Sequence, residues 1–181
     1  MERIAEMIRT KHGRTATPTM VMIDGQTVRG GRAGPTFHEK GGRGGRTNGA
    51  KRSIVIEILG LPLAVSVESA RPHDVNAGRR LLDATLQALG TVQAVVADRG
   101  YRGLGKMAAE RGIKLDIKAP PKGTVGFTPI RPLYKVEHAF ARLGRWRRLS
   151  RCYEGTPESA RAWMEVAALA YLLARLRVEP A

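Results

Sequence analysis

The chain has 181 residues, and its 31 Lys and Arg against 16 Asp and Glu give a formal net charge of +15. This length fits one ordinary domain that buries a hydrophobic core. Solubility alone needs a net charge of only about 2 to 8 in a small domain, so the excess indicates an acidic polymer as the partner. Nucleic acid fits this best, and a basic RNA-binding protein of the ribosomal type also fits the composition.

The cysteine content and the apolar segments indicate the cellular compartment in which the protein functions. Cys152 is the only cysteine, which excludes an internal disulfide or a cysteine-rich zinc site and indicates a reducing compartment, so we expect a cytoplasmic protein. The start of the chain does not have the pattern of a signal peptide, and charges at Glu165 and Arg175 interrupt the apolar segment 162–176. We therefore expect no association with a membrane.

The sequence of residues 1–52 predicts a short helix, a strand and a loop. We expect residues 1–18 to form a helix and a linker, and residues 19–181 to form one folded domain. The apolar run 19–23 predicts a buried strand that ends in a turn at Asp24 and Gly25. Between residues 28 and 52 glycine is frequent, apolar residues are almost absent and basic residues dominate, which predicts a flexible basic loop.

The remainder of the chain alternates strands and helices. Residues 53–59 and 63–68 predict two strands joined by a turn, which is typical of an antiparallel hairpin. The patterns that follow predict a helix from Pro72 to Gly90, a strand over 92–97, a helix over 104–111, a strand over 114–117, a helix over 133–149 and a last helix from Thr156. This order predicts an α/β fold in which an antiparallel hairpin and parallel strands form one mixed sheet flanked by helices.

Three acids occupy positions that suit a metal site. Asp24 and Asp98 each follow a predicted buried strand, and Glu137 lies on the helix 133–149. Phosphodiester transfer is easiest with two divalent ions about 3.5 to 4 Å apart, and Mg²⁺ prefers oxygen ligands. Two adjacent parallel strands would bring Asp24 and Asp98 together, with Glu137 above the sheet edge. We expect these catalytic residues to bind two ions of Mg²⁺ or Mn²⁺.

Each acid also has an ordinary explanation. Asp24 fits a simple turn with Gly25, Asp98 fits the cap of the helix that follows, and Glu137 fits a salt bridge with one of the many arginines. The occurrence of all three acids in this order favours the metal site over the three separate explanations.

Three ordered motifs carry a family resemblance. They are MIDGQTV at residues 22–28, AVVADRGY at 94–101, and VEHAF at 136–140 followed by RRL at 147–149. On these motifs the chain resembles the DDE transposases of bacterial insertion sequences, whose catalytic domain has a ribonuclease H-like fold. Glu57 stands where the family usually has Asp in the hairpin, and His138 stands where Arg commonly follows the catalytic Glu.

The resemblance implies a function and a set of partners. It implies cleavage of DNA strands at transposon ends, followed by attack of the released 3′-hydroxyl on target DNA. Double-stranded DNA is then the substrate, the active species is a homo-oligomer on DNA, and the protein is associated with the bacterial nucleoid. Few residues precede Asp24, so we expect an upstream reading frame to supply a DNA-binding segment. The alternatives are a truncated fragment that binds DNA without autonomous activity, and a ribonuclease H-like nuclease that cuts without joining.

Basic residues from two segments are the predicted DNA contacts. The loop is expected to contact phosphates, and two arginines are expected to share a helical face with Glu137. The alternatives are a solvated loop, and arginines that pair with Glu154. The predicted DNA-binding residues are Arg29, Arg32, Lys40, Arg43, Arg46, Lys51, Arg52, Arg145 and Arg148.

Overall fold

The computed structural model describes residues 1–31, 37–119 and 130–178. The helices and strands in chain order are α1 (Glu2–Lys11), β1 (Met20–Arg29), β2 (Glu39–Gly41), β3 (Thr47–Glu57), β4 (Pro62–Ser69), α2 (Asp74–Ala88), β5 (Ala94–Ala97), α3 (Gly105–Glu110), β6 (Lys114–Ile117), α4 (Tyr134–Gly144) and α5 (Pro157–Arg177). Short 3₁₀ turns cover Arg43–Gly45, Arg99–Leu104 and Arg147–Leu149. In these ranges no helix is both long enough and apolar enough to cross a bilayer.

The six strands form one mixed sheet. β5 pairs in parallel with β1 on one side and with β6 on the other, whereas β3 pairs antiparallel with β1, β2 and β4. Because β1 occupies one edge of β3, β4 and the short β2 lie one after the other along the opposite edge. The mixed sheet flanked by helices that the sequence predicts is confirmed, and the strand order β4-β3-β1-β5-β6 agrees with a ribonuclease H-like fold.

Helices cover both faces of the sheet, and the side chains of each strand alternate between them. Met22, Ile54 and Val96 pack on the face covered by α4 and the first turns of α5. Val21 and Val95 pack on the opposite face with residues of α1, α2 and α3. In β1 and β5, therefore, even-numbered residues point towards α4 and odd-numbered residues point away from it.

The structure corrects the prediction of a turn at Asp24 and of a long basic loop. β1 continues through Asp24 to Arg29, and it pairs with β3 from Val21–Glu57 to Arg29–Gly49. β3 begins at Thr47, six residues earlier than the sequence indicates. The pairing uses backbone N–H and C=O groups, which the polar side chains of these residues do not disturb. Apolar periodicity therefore missed the polar ends of both strands.

The helix that carries Glu137 is shorter than its sequence predicts. α4 ends at Gly144, Trp146 is extended with ψ 118°, and a separate 3₁₀ turn follows at Arg147–Leu149. The helical face that Glu137 was expected to share with Arg148 therefore ends before Arg148. This corrects the geometry on which that DNA contact was predicted.

A buried ion pair fastens α1 to the hairpin of β3 and β4. Arg9 Nη1 donates to Glu57 Oε2, and Arg9 Nε donates to the carbonyls of Thr15 at 2.9 Å and Ala16 at 3.1 Å. Glu57 Oε1 accepts the backbone N–H groups of Leu59 at 2.6 Å and Leu61 at 3.1 Å. Glu57 therefore closes the hairpin turn and holds α1 against the sheet.

Candidate active site

The register of two parallel strands places Asp24 beside Asp98. Met20, Val21 and Met22 pair with Ala94, Val95 and Val96, so each β5 residue lies 74 positions after its β1 partner. Continued by two residues, the same offset brings Asp24 level with Asp98. Both are even-numbered positions and point towards α4. The parallel register of β1 and β5 therefore brings these two acids side by side.

α4 brings the third acid to the same place. Its buried stripe of Val136, Ala139, Phe140 and Leu143 packs on the sheet, and this orientation leaves Glu137 exposed in the first turn. Asp24, Asp98 and Glu137 together line one cavity of about 240 Å³. The three acids that the sequence singled out therefore share one cavity between the sheet and α4.

The ordinary roles of these acids are also present, and they do not exclude the shared cavity. Asp24 Oδ1 accepts the backbone N–H of Gly25 at 2.7 Å. Asp98 Oδ1 accepts the N–H of Gly100 at 2.9 Å and so caps the 3₁₀ turn that follows β5. Each carboxylate has a second oxygen, so these bonds orient the side chains without using all of their acceptors.

The electrostatic environment of Asp24 is unfavourable to its negative charge. Burial raises the pKa of its carboxyl to about 7, the hydrogen bond from Gly25 opposes the shift, and the charges of Asp98, Asp74 and Glu137 add to it. Desolvation and like charges both disfavour an ionised carboxylate. A perturbed carboxyl in a cavity with other acids is typical of functional sites.

The donor set fits a divalent cation by its chemistry. Carboxylate oxygens are the ligands that Mg²⁺ and Mn²⁺ prefer, and a cation between the acids would oppose the burial and the like charges that together raise the pKa of Asp24. Within the described ranges, no three His, Cys, Asp or Glu side chains stand close enough together to hold a metal ion. Asp98 and Glu137 are exposed, so they can change rotamer, whereas Asp24 is half-buried on its strand.

Sequence reasoning missed several residues around this cavity. Arg99 and Lys118 contribute cationic side chains to its wall, and Lys118 Nζ also pairs with Asp116 Oδ2 at 2.9 Å. Tyr101 is buried behind β1, and its hydroxyl has no hydrogen-bond partner among the described residues. A Cβ at Gly25 would lie 3.0 Å from that hydroxyl, so Gly25 leaves room for the hydroxyl. Arg99 and Tyr101 lie within the AVVADRGY motif, which was the available signal.

Two of the predicted DNA contacts are buried. Lys51 Nζ pairs with Asp74 Oδ1 at 2.7 Å and donates to the carbonyl of Pro72. Arg52 donates from Nη1 to the carbonyl of Leu149 at 2.6 Å and from Nη2 to that of Arg151 at 3.1 Å. Both side chains point inward from β3 and hold neighbouring segments to it. The prediction that Lys51 and Arg52 present their charges to DNA is corrected accordingly.

The other predicted contacts are distributed over the surface. Arg29, Lys40, Arg46 and Arg145 are exposed. Arg148 Nε pairs with Glu154 Oε1 at 2.8 Å, and its Cζ lies 4.9 Å from the centre of the Trp163 ring. The alternative role of Arg148, pairing with Glu154, is therefore present. Arg32 and the side chain of Arg43 lie outside the described residues.

Fold and cavity together define a ribonuclease H-like α/β protein in which Asp24, within β1, and Asp98, directly after β5, line a cavity beside α4. The family model described as the transposase DDE domain matches residues 15–128, well over half of the chain. The chain belongs to the transposase DDE domain family. Asp24 and Asp98 lie within the match, and Glu137 lies beyond it. Comparison with curated proteins gives no match.

Proposed function

We propose that this protein is the catalytic domain of a transposase that cleaves DNA strands and transfers them in a reaction dependent on Mg²⁺ or Mn²⁺. The family supports transposase activity in general. The observation that carries the finer proposal is that Asp24, Asp98 and Glu137, from two adjacent strands and a helix, line one cavity. Double-stranded DNA, as transposon end and as target, is the proposed substrate.

The three acids have different parts in this proposal. Asp24 is held by its paired strand and gives the site a rigid oxygen ligand, while the exposed Asp98 and Glu137 adjust around it. The chemistry that two divalent ions supply when bound is activation of the attacking oxygen and stabilisation of the leaving oxygen. Arg99 and Lys118 at the cavity wall attract the phosphate group and hold it against the acids. Covalent catalysis by the protein is not required.

Asp24→Asn, Asp98→Asn and Glu137→Gln test the proposal directly. Each substitution keeps the size of the side chain and removes a charged ligand, which costs several kcal/mol of transition-state stabilisation. We expect Mg²⁺-dependent cleavage of a labelled transposon-end duplex to fall by roughly 10³-fold or more in each variant. DNA binding measured without divalent ions should change little.

Two controls separate the proposal from its alternatives. Asp83→Asn, which lies on α2 outside the cavity, should leave cleavage unchanged. A strand-transfer assay with a precleaved 3′-hydroxyl end distinguishes a transposase from a nuclease that only cuts. Cleavage retained in Asp24→Asn, or cleavage by the wild type without any joining, would contradict the proposal.

A further inference from the structure

A second cavity, separate from the acidic one, lies between α4, α5 and the turn that joins β3 to β4. Its volume is about 160 Å³, and its wall includes Lys135, His138, Arg142, Tyr171 and Arg175. The lining contains no acidic residue. A cavity of this size suits a small anionic group rather than a base pair.

Two guanidinium groups converge in this cavity on one hydroxyl. Arg142 Nη1 donates to Tyr171 Oη at 2.8 Å, and Arg175 Nη1 donates to the same oxygen at 3.2 Å. The Arg142 guanidinium also lies over the Tyr171 ring, 5.1 Å from its centre. Tyr171 therefore holds both arginines in place, although their like charges repel each other.

These cations are not neutralised within the part of the chain that is described. Lys135 Nζ donates to the carbonyl of Ile58, and no described carboxylate lies within ion-pair distance of Lys135, Arg142 or Arg175. This differs from Arg9, Arg80, Arg111 and Arg148, each of which pairs with an acid. Converging, preorganised guanidinium groups suit a phosphate, which arginine binds through parallel N–H donors.

The position of the cavity relates it to the acidic site. Ile54 is the β3 partner of Asp24, and Ile58 follows four residues later at the turn. At about 3.3 Å per strand residue the two cavities are separated by roughly 13 Å along β3, on the face covered by α4. A duplex strand carries one phosphate per about 3.4 Å of axis, so this distance corresponds to about four phosphates.

We propose that the cavity formed by Lys135, His138, Arg142, Tyr171 and Arg175 binds a backbone phosphate of the DNA substrate at a distance from the cleaved bond. This inference rests on the proposed function for its choice of ligand. It also assigns His138 to the phosphate site, because His138 lines this cavity and not the one that contains Glu137. Binding here would fix the strand relative to the three acids without reading its sequence.

The test compares the double variant Arg142→Gln/Arg175→Gln with Arg3→Gln/Arg161→Gln. The control removes the same charge from two exposed arginines on α1 and α5. Binding of a fluorescent DNA duplex is measured between 50 and 200 mM NaCl without divalent ions. One lost phosphate contact should reduce the slope of log K against log [salt] by about 0.9, and the affinity should fall about tenfold, whereas the control should keep the wild-type slope.

A second arm uses inorganic phosphate. Phosphate stabilises folded proteins in general, so replacing chloride by phosphate at equal ionic strength should raise the unfolding midpoint of the wild type and of the control by more than that of the double variant. Tyr171→Phe keeps both charges and removes their shared acceptor, so it should show a smaller loss in both arms, and it provides a measurement should the double variant fail to fold. An unchanged salt slope overturns the proposal, even where phosphate still stabilises, because the site would then take a free anion.

The outcome is independent of catalysis. Asp24→Asn should bind the duplex with the wild-type salt slope, and adding Arg142→Gln/Arg175→Gln to it should reduce that slope by the same amount. Loss of the proposed catalytic function would appear as absent cleavage with this slope change intact. Failure of the present proposal would appear as normal cleavage with an unchanged slope.

Discussion

Glu57 and Asp24 are acids on neighbouring strands, and their surroundings are opposite. Glu57 is fully buried, yet both of its oxygens have donors: Arg9 on one side, and the N–H groups of Leu59 and Leu61 on the other. Asp24 has the N–H of Gly25 and is surrounded by the charges of Asp98, Asp74 and Glu137. The first arrangement gives both oxygens of the acid a donor within the fold, whereas no described cation lies within ion-pair distance of Asp24. Burial alone therefore does not determine the electrostatic environment of an acid.

The largest expected effect on stability is at the buried pair. Arg9→Met leaves the charge of Glu57 buried without its cation, which should lower the free energy of unfolding by about 3–5 kcal/mol in a urea titration. The double variant Arg9→Met/Glu57→Gln removes both charges and keeps an acceptor for the turn. It should be more stable than Arg9→Met, and equal instability of the two would contradict the role given to the pair.

Substitution of Asp24 is expected to raise the free energy of unfolding, by less than Arg9→Met lowers it. The folded state raises the pKa of this carboxyl from 3.8 to about 7, so the folded state binds the proton more tightly. The contribution of Asp24 to stability is then greatest below pH 4 and declines as the pH rises towards 7. The full shift corresponds to about 4 kcal/mol, and screening of a partly exposed group reduces this to about 2 kcal/mol.

Asp24→Asn should therefore be more stable than the wild type at pH 8 and similar to it at pH 4, when both are unfolded thermally in EDTA. Asp98→Asn, in the same cavity but exposed, should change this pH dependence less. Millimolar Mg²⁺ should narrow the difference between Asp24→Asn and the wild type at pH 8. A wild type whose stability is constant between pH 4 and pH 8 would argue against the burial of Asp24 among other acids as the cause of a raised pKa.

The smallest expected effect on stability is at a solvent-exposed ion pair. Arg161 Nε lies 3.4 Å from Glu165 Oε1 one turn later on α5, and both side chains are exposed. Arg161→Gln should lower the free energy of unfolding by about 0.3–0.5 kcal/mol. In 1 M NaCl, where the screening length is about 3 Å, this difference should vanish. If Arg161→Gln lowered the free energy of unfolding as much as Arg9→Met does, the distinction between buried and exposed ion pairs in this protein would be wrong.

The sequence predicted the elements with apolar periodicity and missed those built by polar residues. The strand before Asp98, the hairpin, α2 and α5 follow from apolar patterns and start signals, and Thr156 caps α5 as its sequence indicates. The ends of β1 and β3 carry Gln26, Thr27, Lys51 and Arg52, so they resembled a loop. Backbone pairing between the strands decides their conformation, and a single-sequence pattern does not contain it.

In the candidate site, too, some features follow from the sequence and others depend on the tertiary structure. By itself the sequence determined the strand before Asp98, the helix that carries Glu137 and the order of the three acids, because local apolar patterns fix those elements. Only the tertiary structure decided that the β1–β5 register brings Asp24 level with Asp98, and that Lys51 and Arg52 point inward. It also decided that Arg142 and Arg175 converge on Tyr171. These facts depend on contacts between residues far apart in the chain, which strand pairing and helix packing establish together.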